Sequence, residues 1–329
     1  MYIKGNSPVH RLTTWLLNAV SIIFKTLSLI NLKRKSLRQK RYPEALIISI
    51  DNLSFGGTGK TTLVIEIGKY LEKEHIKFAV VTRGYKSKLE TPGAAVQPNH
   101  SIEDIGDEAK LFKHRFPQQD IYVGKNRQIS IEKAINDNNK IILLDDGFQT
   151  TNIYKDIKIM LFNPRHPYYF LRNFKFLLKK EDYVFFYRYN GPYPFDGPNC
   201  GSYDFQLERF YSPGGKAIDI GNASLMGFSA LGDNLRFKND LSLFPLKEFK
   251  GYSDHHFYTE ADIKRLNQLR IQKKADYLVC TEKDFMKIKH LDLTQIPLIY
   301  TQNSIKFSFD LMECIWKYAE KKDKIETPG

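Results

Sequence analysis

Acidic side chains are absent from the first 41 positions of this 329-residue chain, although it carries 37 Asp and Glu against 50 Lys and Arg in all. Cysteine is scarce too. Cys200, Cys280 and Cys314 are far apart, odd in number and free of any C-x-x-C pair; this excludes a disulfide framework and a structural zinc site and fits a reducing compartment. No internal repeat and no low-complexity tract occurs. With 42% hydrophobic and 13% aromatic residues a core can be buried, a wholly disordered chain is excluded, and the length suits two domains.

The missing acids locate the net charge. Of the formal +13, nine charges lie in the first 41 residues, on Lys4, Arg11, Lys25, Lys33, Arg34, Lys35, Arg38, Lys40 and Arg41, leaving +4 for the remainder. A basic protein often implies nucleic acid, but a body of +4 does not, and no nucleic-acid partner is expected. Residues 12 to 32 are mostly apolar, with Thr14, Asn18, Ser21, Lys25 and Ser28 recurring at steps of four and three. That spacing predicts a helix with one polar stripe. Trp15, Phe24 and six basic residues between 33 and 41 suit the interface of an anionic membrane. Competing readings are a spanning helix, since 21 residues just cross a bilayer, and a helix packed on the protein's own core; Lys25 argues against deep burial. The segment ends in basic residues rather than a small-residue cleavage site, unlike a signal peptide, and the basic run would keep the following domain cytoplasmic.

From Glu44 onward apolar runs alternate with helical segments. Strands are predicted at 45–50, 78–82, 140–144, 157–162 and 183–187, with helices over 60–73 and from Asp107. This pattern predicts an α/β fold with a doubly wound, mainly parallel sheet. A Gly-, Pro-, Asn- and Tyr-rich stretch then suggests a junction. The expected organisation is a membrane-associating segment at 1–41, a P-loop domain at 42–200, a linker or hairpin at 201–221, and a smaller α/β domain at 222–329 that completes the active-site cleft. Strands at 225–229, 277–280 and 298–300 and helices at 260–272 and 311–321 belong to the last.

Ser54-Phe55-Gly56-Gly57-Thr58-Gly59-Lys60-Thr61 resembles a P-loop, in which backbone N–H groups at a helix N-terminus cradle phosphates, the lysine meets the β/γ-phosphates and the threonine hydroxyl meets Mg²⁺. Ser54 stands where the strict pattern has glycine. A strand before the loop and a helix after it support the ATP reading against an ordinary glycine-rich turn. Ile141 to Asp146 resembles the apolar strand that delivers a carboxylate to the metal, and a guanine-specifying N/T-K-x-D is missing from the first domain. Asp107 stands at a helix start, where a plain helix cap is the favoured reading of the residues and a base for an acceptor hydroxyl the alternative.

Several blocks in order resemble the tetraacyldisaccharide 4'-kinases of lipid A synthesis: Ser54 to Thr61, Thr82-Arg83-Gly84-Tyr85, Gly106-Asp107-Glu108, Asp145-Asp146-Gly147-Phe148-Gln149, Asp254-His255-His256 with Tyr258-Thr259, and Thr281-Glu282-Lys283-Asp284. The resemblance implies transfer of the ATP γ-phosphate to the 4'-hydroxyl of a tetraacyl disaccharide 1-phosphate, giving lipid IVA. Asp107 would act with His255 as a dyad across the domain cleft, His256 being the less favoured choice. Glu108, Asp145, Asp146 and Gln149 would serve magnesium and phosphate, and Arg83 and Tyr85 the site wall. It further implies a place at the cytoplasmic face of a bacterial inner membrane; a monomer is expected, although the sequence does not itself define the oligomeric state. Thr62 replaces a usual proline. Thr150-Thr151-Asn152 replace histidine and arginines, for which Lys155 or Arg165 are speculative substitutes. A kinase for a small soluble substrate and a regulatory ATPase are the other readings; neither needs both a basic interfacial tail and a base aimed at a hydroxyl.

Overall fold

A computed structural model describes residues 8–36, 39–54, 57–148, 150–164, 171–188, 191–192, 199–308 and 310–320. In chain order the elements are α1 (Pro8–Ser36), β1 (Leu46–Asn52), α2 (Lys60–Lys73), β2 (Phe78–Thr82), β3 (Ala94–Ala95), α3 (Ile102–Ile105), α4 (Asp107–Arg115), β4 (Asp120–Val123), α5 (Arg127–Asn136) and β5 (Ile141–Asp145). Then follow β6 (Ile157–Phe162), a 3₁₀ turn (Lys175–Lys180), β7 (Tyr183–Tyr187), β8 (Cys200–Tyr211), β9 (Ala217–Ile218) and β10 (Leu225–Ser229). The chain continues through α6 (Asn234–Leu241), β11 (Leu246–Gly251), α7 (Glu260–Gln272), β12 (Tyr277–Thr281), α8 (Glu282–Ile288), β13 (Leu298–Phe307) and α9 (Leu311–Glu320).

The chain forms two compact units, and neither is continuous in sequence: Met1–Lys60 with Lys140–Tyr203 and Phe307–Gly329, and Thr61–Asn139 with Asp204–Lys306. This differs from consecutive domains divided at 201–221. Of the two readings of that stretch, linker or hairpin, the structure shows the hairpin: β8 fills most of it and turns back antiparallel into β9. Alternation predicts strands, but which strands pack together depends on pairing between segments distant in sequence.

In the first unit, β1 lies between β5 and β6, with β7 beyond β6 and β8 beyond β7, all parallel. Every residue of β1, β5 and β7 is buried, as a strand covered on both faces requires. Leu53, Phe148, Met160, Phe162, Leu171 and Phe186 are central to its core. Because β1 and β5 are parallel neighbours, the turns that leave their carboxyl ends emerge side by side, where open α/β sheets bind ligands. In the second unit β2, β4 and the two-residue β3 pair in that order, and β10 stands between β11 and β12, with β13 beyond β12. Phe210, Leu225, Phe237, Leu241, Val279 and Ile299 fill its core.

Helix α1 turns its stripe inward. Ser21 and Lys25 are buried, Ser28 Oγ accepts from Asn173 Nδ2 at 3.2 Å, and Leu29 packs on the first unit's core. Lys25 is 0% exposed, so its charge does not keep this face in solvent as expected. The outward side is apolar: Trp15, Val20, Ile23 and Leu27 are each more than 60% exposed. Residues Arg11–Asn31 are long and apolar enough to cross a membrane by length and composition.

Candidate functional site

The P-loop joins the carboxyl end of β1 to α2, whose first turn carries no acidic residue and so leaves a helix N-terminus open to an anion. Ser54 is fully buried and bridges Leu171; the Oγ atoms of Ser54 and Thr58 find no hydrogen-bond partner among the described residues. Gly59 has φ +94°, a backbone state that side chains resist. Phe55, Gly56 and Gln149 lie outside the described residues, and Gly57 is exposed. The Thr58 carbonyl accepts from the buried Tyr203 hydroxyl at 2.8 Å, so β8 anchors the loop.

Asp145 ends β5, buried and in register with Ile50. Asp146 follows in a left-handed conformation, φ +52°, of the kind that persists at functional sites because neighbours hold it. Its N–H donates to the Ile50 carbonyl at 3.0 Å, and its carboxylate pairs with Arg172 at 2.7 Å and lies 3.9 Å from Lys60 Nζ. Asp146 is therefore an acid within ion-pair reach of the P-loop lysine. Arg172 was missed: it sits in an irregular segment, and its N–H also donates to the Leu53 carbonyl. Lys155 turns its ammonium to the Gly147 carbonyl, within the Asp145 to Gln149 block. Burial raises the nearby Asp51 carboxyl above its usual range, and Lys155 opposes this. Arg165 lies outside the described residues.

In the second unit, Gly106 (φ +86°) precedes α4 and contributes no side-chain cap. A Cβ there would lie 3.4 Å from Gly84 Cα, so two glycines let the loops carrying Tyr85 and Asp107 meet. Asp107 is thus the first residue of α4 and not its cap. Its Oδ2 receives His255 Nδ1 at 3.0 Å, Lys283 Nζ at 3.3 Å and Lys287 Nζ at 3.9 Å. The pair expected across a cleft between consecutive domains lies within one compact unit. Burial opposes the charge on Asp107, but Lys283 and then the His255 hydrogen bond hold the carboxyl well below its usual range. The same hydrogen bond raises His255 above its ordinary value, against burial. His255 is also left-handed, φ +60°.

Glu108, next on α4, accepts from Thr61 Oγ1 at 3.4 Å and pairs with Lys283 at 3.5 Å. Thr61 follows Lys60 directly, so this carboxylate reaches the last P-loop residue. Tyr85 is exposed with its ring centroid 6.3 Å from that of His255, and Arg83 sits over Tyr85 while pairing with Glu90 at 2.6 Å. His256 is occupied elsewhere, stacked on Tyr252 and 3.5 Å from Asp262. No group of three or more His, Cys, Asp or Glu converges as a metal cage among the described residues. The donors present are a hydroxyl and carboxylates, the hard oxygens that suit Mg²⁺, which is commonly held by one or two carboxylates together with substrate phosphates. The orphaned P-loop hydroxyls and the open helix terminus likewise fit ATP.

A parallel sheet whose central strand feeds a P-loop, with an acidic turn leaving the neighbouring strand, defines a P-loop phosphotransferase. The chain belongs to the tetraacyldisaccharide-1-P 4'-kinase family, LpxK, whose model matches residues 13–173 and 200–320. It is 27% identical over 336 residues to a tetraacyldisaccharide 4'-kinase of Rickettsia canadensis, covering 94% of this chain and 95% of that one. It is 26% identical over 317 residues to one from Desulfotalea psychrophila, covering 87% and 90%. A Chlamydia trachomatis relative of the same name is 33% identical over 181 residues, 52% of this chain and 48% of its own length. The crystal structure of LpxK from Aquifex aeolicus, described as an "apo" form in complex with ATP, shares the fold: TM-score 0.74, 21% identity, 94% of this chain and 99% of that one.

Proposed function

We propose that this chain transfers the γ-phosphate of ATP to the 4'-hydroxyl of a tetraacyldisaccharide 1-phosphate, forming lipid IVA in lipid A biosynthesis. Family membership supports the reaction, and the observation that carries the mechanism is the Asp107–His255 pair on the unit where Glu108 reaches Thr61. A sugar hydroxyl is a poor nucleophile whose proton must be accepted during transfer. Asp107, surrounded by cations, is a weak base. It holds the Nδ1–H of His255 and stabilises the imidazolium, and His255 Nε2 takes the hydroxyl proton.

Lys60 and the α2 N-terminus bind the phosphates of ATP; the oxygens of Thr61 and Glu108 in the second unit, and of Asp145 and Asp146 in the first, are the ones that would hold magnesium. When bound, the metal neutralises charge on the phosphoryl oxygens. Tyr85 and Arg83 line the acceptor side. The apolar face of α1 rests on the cytoplasmic face of the inner membrane, where the acylated substrate lies, and the enzyme acts as a monomer. Incubation with labelled ATP, magnesium and tetraacyldisaccharide 1-phosphate in detergent micelles tests the reading: label enters the lipid, and its absence there overturns the assignment.

A further inference from the structure

Lys283 is the second residue of α8 and lies mostly buried between two carboxylates that do different work. Its ammonium is 3.3 Å from Asp107 Oδ2 and 3.5 Å from Glu108 Oε1. Neighbouring acids at one helix start repel each other, and a single cation between them offsets that repulsion. Lys287, one helical turn on, adds a second ammonium at 3.9 Å from Asp107.

The helix that carries Lys283 is braced against both halves of the dyad. Glu282 pairs with Arg115 of α4 at 2.8 Å and accepts from Gln302 at 3.1 Å. Asp284 accepts from the Thr281 hydroxyl at 2.7 Å, from the Ala230 N–H at 3.1 Å and from the Tyr258 hydroxyl at 3.1 Å. Tyr258 belongs to the loop that presents His255. A lysine on so constrained a helix is held where it stands.

We propose that Lys283 is a positioning residue for phosphoryl transfer: its ammonium keeps Asp107 turned to His255 and Glu108 turned to Thr61, fixing the proton-accepting pair relative to the P-loop threonine. The proposal rests on the kinase reading above. His255 faces Asp107 of α4, Asp254 of its own loop at 3.8 Å, Lys283 of α8 and the Tyr85 ring, with Glu108 and Lys287 behind Asp107. Lys283 repels an imidazolium at His255, so its removal and the loss of the whole pair act on that ring in opposite directions.

The test uses the full chain with Lys283→Met and Lys283→Arg, read by lipid phosphorylation in micelles and by NMR titration of the His255 ring. Lys283→Met is expected to lower kcat roughly 10²-fold with little change in KM for ATP, and to move the His255 midpoint to higher pH. Lys283→Arg restores most of the rate. A wild-type kcat in Lys283→Met, or a His255 midpoint that falls because the pair has come apart, overturns the proposal. Lys283→Gln takes the same two readings if the methionine variant does not fold. If wild-type protein labels no lipid while the His255 shift appears as stated, the kinase reading fails and the placement of Lys283 stands.

Discussion

One oxygen of Asp107 meets an imidazole and two ammonium groups, so its charge is spent on holding partners. Asp107→Asn removes the attraction that raises His255, and the acid limb of kcat/KM against pH should move to lower pH while kcat falls by roughly 10²–10⁴-fold. An unmoved limb would separate His255 from the proton transfer. The sign for stability follows from the same shifts. Raised His255 contributes fully below its unfolded value and loses that contribution as pH rises through its folded pKa, whereas depressed Asp107 loses its own only under strong acid. Tyr203→Phe deletes the bond to the Thr58 carbonyl; a loss of about 1 kcal/mol in denaturant unfolding with a raised KM for ATP is expected. Asp107 and His255 were legible through their motif blocks. Lys283 stood in such a block, Thr281 to Asp284, but without an assigned role; Tyr203 and Arg172 were not legible, because nothing local marks a lone tyrosine or arginine whose partner lies distant in sequence.

At the scale of elements, strands of continuous apolar residues such as β1, β5, β6 and β7 were readable, since burial on both faces leaves little room for anything else. Helix α2 was equally plain, because the P-loop fixes its start. Helix α8 was hidden: Glu282, Asp284 and Lys287 are buried charges, and a charged heptapeptide reads as surface until its ion-pair partners are known. The inward stripe of α1 was hidden for a like reason, because Ser28 looks solvated until Asn173 is placed against it. Its apolar face then needs another cover. Ile23→Glu, on that face, should weaken partition onto anionic vesicles without disturbing the fold. Trp15 reports the event: of the two tryptophans in the chain, Trp316 is buried and Trp15 exposed, so vesicles should shift Trp15 emission to the blue in wild type but not in Ile23→Glu.

For the molecule as a whole, nine of the thirteen net charges belong to a segment whose helix packs within the first unit. Electrostatic attraction to anionic lipid contributes about 1 kcal/mol per basic residue near the surface and is screened within a Debye length of about 8 Å at physiological salt. Vesicle binding should therefore weaken steeply with salt, leaving the apolar contribution of α1. Deleting residues 1–41 would remove both contributions and also Ser28, which holds Asn173, and Leu29 on the core. Asn173 follows Arg172, which pairs with Asp146 and donates to the strand end before the P-loop. Truncation is accordingly expected to raise KM for ATP as well as to abolish vesicle binding, whereas neutralising the basic run from Lys33 to Arg41 should lower vesicle affinity and its salt dependence with ATP binding intact. Equal ATP affinity in the truncated and full chains would mean that α1 is held by the first unit without supporting its nucleotide site.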